Sequence, residues 1–154
     1  MDKEYAACPA QYAFENGKAE RTWDKNTKVL ADLDTHKLHY VMQPSNHIFI
    51  DFDITDESGG KSFERNREAA EKWPPTYAET SKSGAGIHLH YIYEGDVSEL
   101  AKLYAPHVEI KVLNGKTPIR RKLTKCNNLP IATLTSGLPF ICTNLICNKN
   151  KEGI

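Results

Sequence analysis

From His47 to Val112 the hydrophobic and polar positions change period in an ordered way. His47-Ile-Phe-Ile-Asp-Phe-Asp-Ile54 has the two-residue period of a strand, which puts Ile50, Phe52 and Ile54 on one side and Asp51 and Asp53 together on the other. Thr55 to Gly60 is a polar loop, and the charged stretch Ser62 to Trp73 predicts a helix ended by Pro74-Pro75. A short strand near 76–81 leads through Lys82-Ser83-Gly84-Ala85-Gly86 into a better one, Ile87 to Tyr93. Asp96, with Glu99 three residues on, predicts the cap of a second helix whose apolar stripe is Val97, Leu100, Ala101 and Tyr104, stopped by Pro106. Val108-Glu-Ile-Lys-Val112 alternates as a last strand.

The order βαββαβ predicts an α+β, ferredoxin-like (RRM-like) antiparallel sheet with helices on one face and the other face free for chemistry. Alternation then assigns side chains to that free face. Asp51 and Asp53 come from the first strand, His88 and His90 from the third, and Glu109 and Lys111 from the fourth. The expected organisation is one domain with a small N-terminal subdomain (1–46), this core (47–113) and a basic extension (114–154). Two carboxylates held two positions apart repel each other, and a hard divalent cation, Mg²⁺ or Mn²⁺, relieves the repulsion.

Charge sharpens the picture. The formal net charge is +0, yet residues 1–109 hold 12 Lys/Arg against 19 Asp/Glu, and residues 110–154 hold 8 against the single acid Glu152. A cation site in the first part and a polyanion contact in the second fit this split, as does simple attraction between the two parts. Cys8, Cys126, Cys142 and Cys147 lack the paired spacing of a zinc ribbon and read as reduced thiols. No apolar run reaches the length of a membrane span and the first residues do not read as a signal peptide, so the expected compartment is the cytoplasm, with no membrane partner. His36, His39, His47 and His107 receive no role, and His90 is read as a packing residue outside the primary site.

Three motifs carry a family resemblance: Ile50-Asp51-Phe52-Asp53; Gly86-Ile87-His88 after Ser83-Gly84-Ala85; and Val108-Glu109. In this order, over residues 47–113, the chain resembles the catalytic module of the archaeo-eukaryotic primase superfamily, in particular the primase-polymerases of phages and plasmids. The resemblance implies a DNA primase/polymerase that adds nucleoside triphosphates (dNTP and/or NTP) to a chain on a single-stranded DNA template with primer. It implies Asp51, Asp53 and Glu109 as ligands of the catalytic Mg²⁺ or Mn²⁺, and His88 as a contact to the triphosphate. It also implies a sheet in which the first strand lies between the third and fourth.

Beside it, the residues suggest Ser83, Gly84, Gly86 and Lys111 as further nucleotide contacts, and Arg120, Arg121, Lys122 and Lys125 as contacts to nucleic acid. The chain is short for that family, which fits a catalytic fragment working with a replicative helicase on a separate region or chain, in the host cytoplasm if a phage or plasmid encodes it. Two other readings compete. His88-Leu89-His90 resembles the metal strand of rolling-circle (HUH-type) replication endonucleases, for which Tyr104 would be the nucleophile. A non-catalytic RRM-like nucleic-acid-binding module would need aromatic side chains on the free face.

Overall fold

The computed structural model describes residues 1–121 and 123–141. Within these residues nine strands and one α-helix follow in the order β1 (Ala10–Tyr12), β2 (His39–Val41), β3 (His47–Phe52), α1 (Phe63–Ala70), β4 (Ala78–Thr80), β5 (Ile87–Tyr93), β6 (Leu103–Ala105), β7 (Val108–Val112), β8 (Ile119–Arg121) and β9 (Ala132–Leu134). The larger sheet has the order β4-β5-β3-β7-β6, and β9 joins β5 in parallel beyond β4. The smaller sheet is β1-β2-β8, antiparallel throughout.

Strand period decides which side chains are buried together. Ile48, Ile50 and Phe52 of β3, Leu89, Tyr91 and Tyr93 of β5, and Val108 and Ile110 of β7 form one core with Ala70 of α1 and Leu134 of β9. Ser62 caps α1 by accepting from the Arg65 N–H, and past its end Trp73 meets Phe52 edge-on at 6.0 Å. The Tyr91 hydroxyl donates to the Pro74 carbonyl at 2.6 Å, which pins the chain after the helix to the sheet. A second core gathers Met1, Tyr5, Ala10, Leu30, Val41, Tyr77, Ile119 and Ile131, with Ile92 of β5 packed against it. It covers the half of the sheet's other face at which His47, His90 and Ile92 point. Among the described residues, nothing closes over the half bearing Asp51, His88 and Glu109, whose side chains stay partly exposed.

The ferredoxin-like βαββαβ expectation is not met: the described residues hold one α-helix, not two, and two sheets. Asp96 does cap, accepting from the Ser98 N–H at 2.9 Å, but only a single 3-10 turn, Val97–Glu99, follows. The remainder of the predicted helix is drawn into strand pairing. Ile110 N–H donates to Lys102 O at 2.7 Å, Ala101 N–H to Pro139 O at 2.9 Å and Ile141 N–H to Glu99 O at 2.8 Å. A helix of about ten residues is marginal by itself. Here tertiary backbone partners on both sides outcompete it, and Pro106-His107, with His107 at φ 63, turns the chain directly from β6 into β7. The segment after 114 is likewise no mere appendage, since β8 completes the N-terminal sheet.

Candidate metal and nucleotide site

Register places the acids and histidines in one row. Asp51 of β3 lies opposite Glu109 of β7 on one side and opposite His88 of β5 on the other, and His88 in turn lies opposite Glu79 of β4. Adjacent strands are about 4.8 Å apart and all four side chains share a face, so Glu109, Asp51, His88 and Glu79 are successive neighbours. The central position of β3 between β5 and β7 agrees with the order that the family resemblance implied.

His88 is held between two carboxylates: Nε2 is 3.2 Å from Asp51 Oδ1 and Nδ1 is 3.6 Å from Glu79 Oε1. Burial works against its charge, but the two anions outweigh burial and push its pKa up to about 9, so the imidazolium persists at neutral pH. Glu79 is buried too, which by itself would raise its pKa, yet His88 and His90 bring it down to about 2. Asp51 is lowered as well, its burial offset by His88, Lys111 and Lys61. Among the described residues its Oδ1 is buried without a hydrogen-bond partner, with His88 Nε2 as its close charged neighbour.

Behind this row runs a buried polar chain. His90 Nε2 is 3.1 Å from Glu79 Oε1, His90 Nδ1 is 2.9 Å from His47 Nε2, and His47 Nδ1 is 2.6 Å from the Tyr5 hydroxyl. An ionised Glu79 can only accept, so His90 carries its proton on Nε2, His47 on Nε2, and Tyr5 donates to His47 Nδ1. His47 stays neutral because burial, aided by His90, drops its pKa to about 2.

Asp53 stands one residue past β3. Its N–H donates to His107 O at 2.8 Å, and its Oδ1 is 3.1 Å from Lys61 Nζ. Glu109 Oε2 is 3.3 Å from Lys111 Nζ. Two of the three predicted metal-binding acids are therefore neutralised by lysine, and the third has a buried unpartnered oxygen. The residues whose ligand atoms all lie within 4.8 Å of one another, among those described, are instead Glu79, His88 and His90.

Ser83, Gly84 and Gly86 form a hairpin connection that spends its own donors. Gly84 N–H goes to Ser81 O, Ala85 N–H to Ser83 Oγ and Gly86 N–H to Ser81 Oγ, so these groups are not free for phosphate as the sequence suggested. Gly84 needs its freedom for φ 81, whereas Gly86 needs room: a Cβ there would lie 2.9 Å from Ser81 Oγ and 3.0 Å from Asp53 Oδ1. Gly86→Ala is expected to leave the fold intact while displacing the Asp53 carboxylate. Any activity that depends on Asp53 should fall about tenfold or more, as a misplacement of about 1 Å does, with the melting temperature nearly unchanged. An unchanged rate would show that the Asp53 position does not matter.

Asn66 of α1, fully buried, fastens this corner. Its Oδ1 accepts from Ile54 N–H at 2.7 Å and its Nδ2 donates to Ala85 O at 2.8 Å, tying the end of β3 to the glycine loop. Asn66→Leu should destabilise the fold by about 2–4 kcal/mol by orphaning two backbone groups. Urea unfolding measures this, and a loss below about 1 kcal/mol would mean the corner is held otherwise.

Arg120 and Lys125 line a cavity of about 300 Å³ with Glu79, Thr80, Ser81, Lys82 and His88, on the accessible side of the row. Arg121 does not join them. Alternation along β8 turns it inward, where it is fully buried, ion-paired with Asp2 and bonded to the Tyr77 hydroxyl at 3.3 Å, so it is a structural residue rather than a nucleic-acid contact. Lys122, Cys142 and Cys147 lie outside the described residues. Tyr104 sits in β6, not on a helix, and its ring packs on Trp73 at 4.8 Å. With Phe52 and Val108 it lines a cleft on the α1 side of the sheet, the face opposite His88 and His90. The endonuclease reading loses its nucleophile there.

Sequence reasoning passed over Glu79, His47, Tyr5, Lys61 and Asn66. Glu79 could have been found: Ser81 pairs with Gly86 across the loop, so two residues back along each strand Glu79 must face His88. His47 could not, because its importance depends on the N-terminal Tyr5 and on His90, 43 residues away.

No family model, no curated protein and no solved structure matches this chain. Among the described residues, no helix is long and apolar enough to cross a membrane.

Proposed function

We propose that this chain is a metal-dependent nucleotidyltransferase of the primase-polymerase kind, joining nucleoside triphosphates to a nucleic-acid chain on a DNA template. The observation that supports this most is the cross-strand row Glu109–Asp51–His88, in which two acids from distant segments meet beside an imidazolium. The buried Asp51 Oδ1, which has no hydrogen-bond partner among the described residues, supports the reading, as do Asp53 and Glu109, whose partly exposed lysine partners can yield their place to a hard cation. Asp51, Asp53 and Glu109 would hold Mg²⁺ or Mn²⁺, which when bound lowers the pKa of an attacking hydroxyl and neutralises the departing pyrophosphate.

The chain's own groups do the rest. His88, charged at neutral pH, donates to a non-bridging phosphate oxygen and orients the triphosphate tail. Lys82, Arg120 and Lys125, around the adjoining cavity, add positive charge for the tail or for the template and primer backbone. Lys61 and Lys111, now paired with Asp53 and Glu109, would be free to turn to the same phosphates if those carboxylates held a cation.

The test is incorporation of labelled dNTP or NTP by the full chain on primed and unprimed single-stranded DNA with Mg²⁺ or Mn²⁺. Chain extension that requires the metal is the expected result. Failure with both nucleotide classes, together with no metal-dependent triphosphate binding by equilibrium dialysis, would overturn the reading.

A further inference from the structure

We propose a second metal site, separate from the acid trio, in which Glu79 Oε1, His88 Nδ1 and His90 Nε2 bind one borderline transition-metal ion, Zn²⁺ foremost, and leave a fourth position open to an anionic oxygen ligand. It shares His88 with the proposed triphosphate contact, so that His88 serves one or the other. His88 and His90 are i and i+2 on β5 and point to one face, and Glu79 is the register partner of His88 on β4. Two imidazoles from one strand and a carboxylate from its neighbour thus converge without any loop.

The spacing suits the ion. Tetrahedral bonds of about 2.0–2.1 Å place ligand atoms about 3.3 Å apart. Glu79 Oε1 is 3.1 Å from His90 Nε2 and 3.6 Å from His88 Nδ1. Two imidazoles with one carboxylate select Zn²⁺, and accept Co²⁺ or Mn²⁺, over Mg²⁺.

The surroundings are built as such a site requires. A metal-bound histidine needs a partner for its other ring nitrogen, to hold the ring and its tautomer. His88 has one in Asp51, whose Oδ1 lies 3.2 Å from Nε2 and has no hydrogen bond of its own. Binding metal at Nδ1 displaces the proton held there to solvent, and the neutral His88 keeps its Nε2–H for that oxygen, so the orphan atom is satisfied. His90 has its partner in His47, 2.9 Å from Nδ1. When His90 Nε2 binds metal, its proton moves to Nδ1 and is donated to His47 Nε2. His47 then carries its proton on Nδ1 and donates to the Tyr5 oxygen, whose own hydrogen turns aside. The protons of His90, His47 and Tyr5 only change sides, so the relay reverses direction without gaining or losing one.

The open position faces the cavity shared with Lys82, Arg120 and Lys125, whose charge selects an anion such as a phosphate oxygen. The acid trio lies outside this set, and Asp51 keeps its second oxygen for a cation of its own.

Titration of the full chain with Co²⁺, with no nucleotide present, tests the site. The expected result is one equivalent that gives the intense visible bands of a four-coordinate ion, displaced by Zn²⁺, apart from any weakly absorbing octahedral Co²⁺ held by the acid trio. His90→Gln and Glu79→Gln should each abolish the bands, Asp51→Asn should weaken binding about 10–100-fold, and Asp53→Asn should leave the bands in place. Because the Glu79 and His90 substitutions also disturb a buried polar chain, X-ray absorption of the Zn²⁺-loaded unsubstituted chain supplies an independent reading, with two imidazoles in the coordination shell expected. An all-oxygen shell, bands that survive in His90→Gln, or binding lost in Asp53→Asn alone would overturn the proposal.

Discussion

Asp51→Asn is expected to lower nucleotidyl transfer on the order of 10³-fold while the chain stays folded. The carboxylate is the middle member of the row, with Glu109 on one side and His88 on the other, and it carries the row's one buried oxygen without a hydrogen-bond partner among the described residues. Replacing it with a neutral amide removes the charge that holds a cation against the triphosphate, a loss of several kcal/mol in the transition state, and each 1.36 kcal/mol is tenfold in rate. The side chain does not serve the core, which lies on the other face of β3, and His88 keeps Glu79 as a partner. Stability should fall by only about 1–2 kcal/mol, the scale of one lost partly buried charge pairing, since His88 retains Glu79. Single-turnover extension rates and urea unfolding of the same preparation measure both quantities. A rate within tenfold of the unsubstituted chain would remove Asp51 from the chemistry.

Folding stability should pass through a maximum near pH 6.5 and fall on both sides for different reasons. Above it, His88 keeps its proton in the folded chain up to about pH 9, while the same side chain in the unfolded chain has already lost it. The folded state then binds one more proton than the unfolded, and stability drops at ~1.4 kcal/mol per pH unit. Below pH 6.5 the sign reverses. His47 remains unprotonated in the folded chain because burial, aided by the neighbouring His90, depresses its pKa to about 2, whereas the unfolded chain takes up the proton. Stability therefore falls as pH falls, at the same slope from this one group. His39 adds to it, its pKa lowered by burial more than the carbonyl of Lys37 restores. Glu79 contributes only further down, from the ordinary carboxylate range toward about pH 2. Urea denaturation across pH 5–9 should give this bell. His88→Gln should flatten the alkaline limb and spare the acid one, and a profile unchanged by that substitution would contradict the charge assigned to His88.

Much of the site was legible because alternation is strict. Once 47–54, 87–93 and 108–112 are read as strands, the positions of Asp51, His88, His90, Glu109 and Lys111 on one face follow, and all five lie there. The helix expected over 96–105 failed for a reason the residues themselves do not display. Its apolar stripe satisfies a helix, but its backbone groups find partners in β7 and in residues 139–141. Arg120 and Arg121 looked alike in sequence, and only pairing of β8 with β2, about eighty residues earlier, sends one to the surface and buries the other against Asp2. His47 and His90 looked idle for the same reason, since their partners are Tyr5 and Glu79.

What the amino-acid order determined by itself is therefore the facing of each side chain within its own strand, a property with a period of two residues that needs no distant partner. Which strands lie side by side, how much of the reactive face the N-terminal core covers, and which histidine is charged were decided only in the tertiary structure. Those depend on burial and on ion pairs between segments tens of residues apart, and a carboxylate or imidazole takes its charge state from such neighbours rather than from its place in the chain.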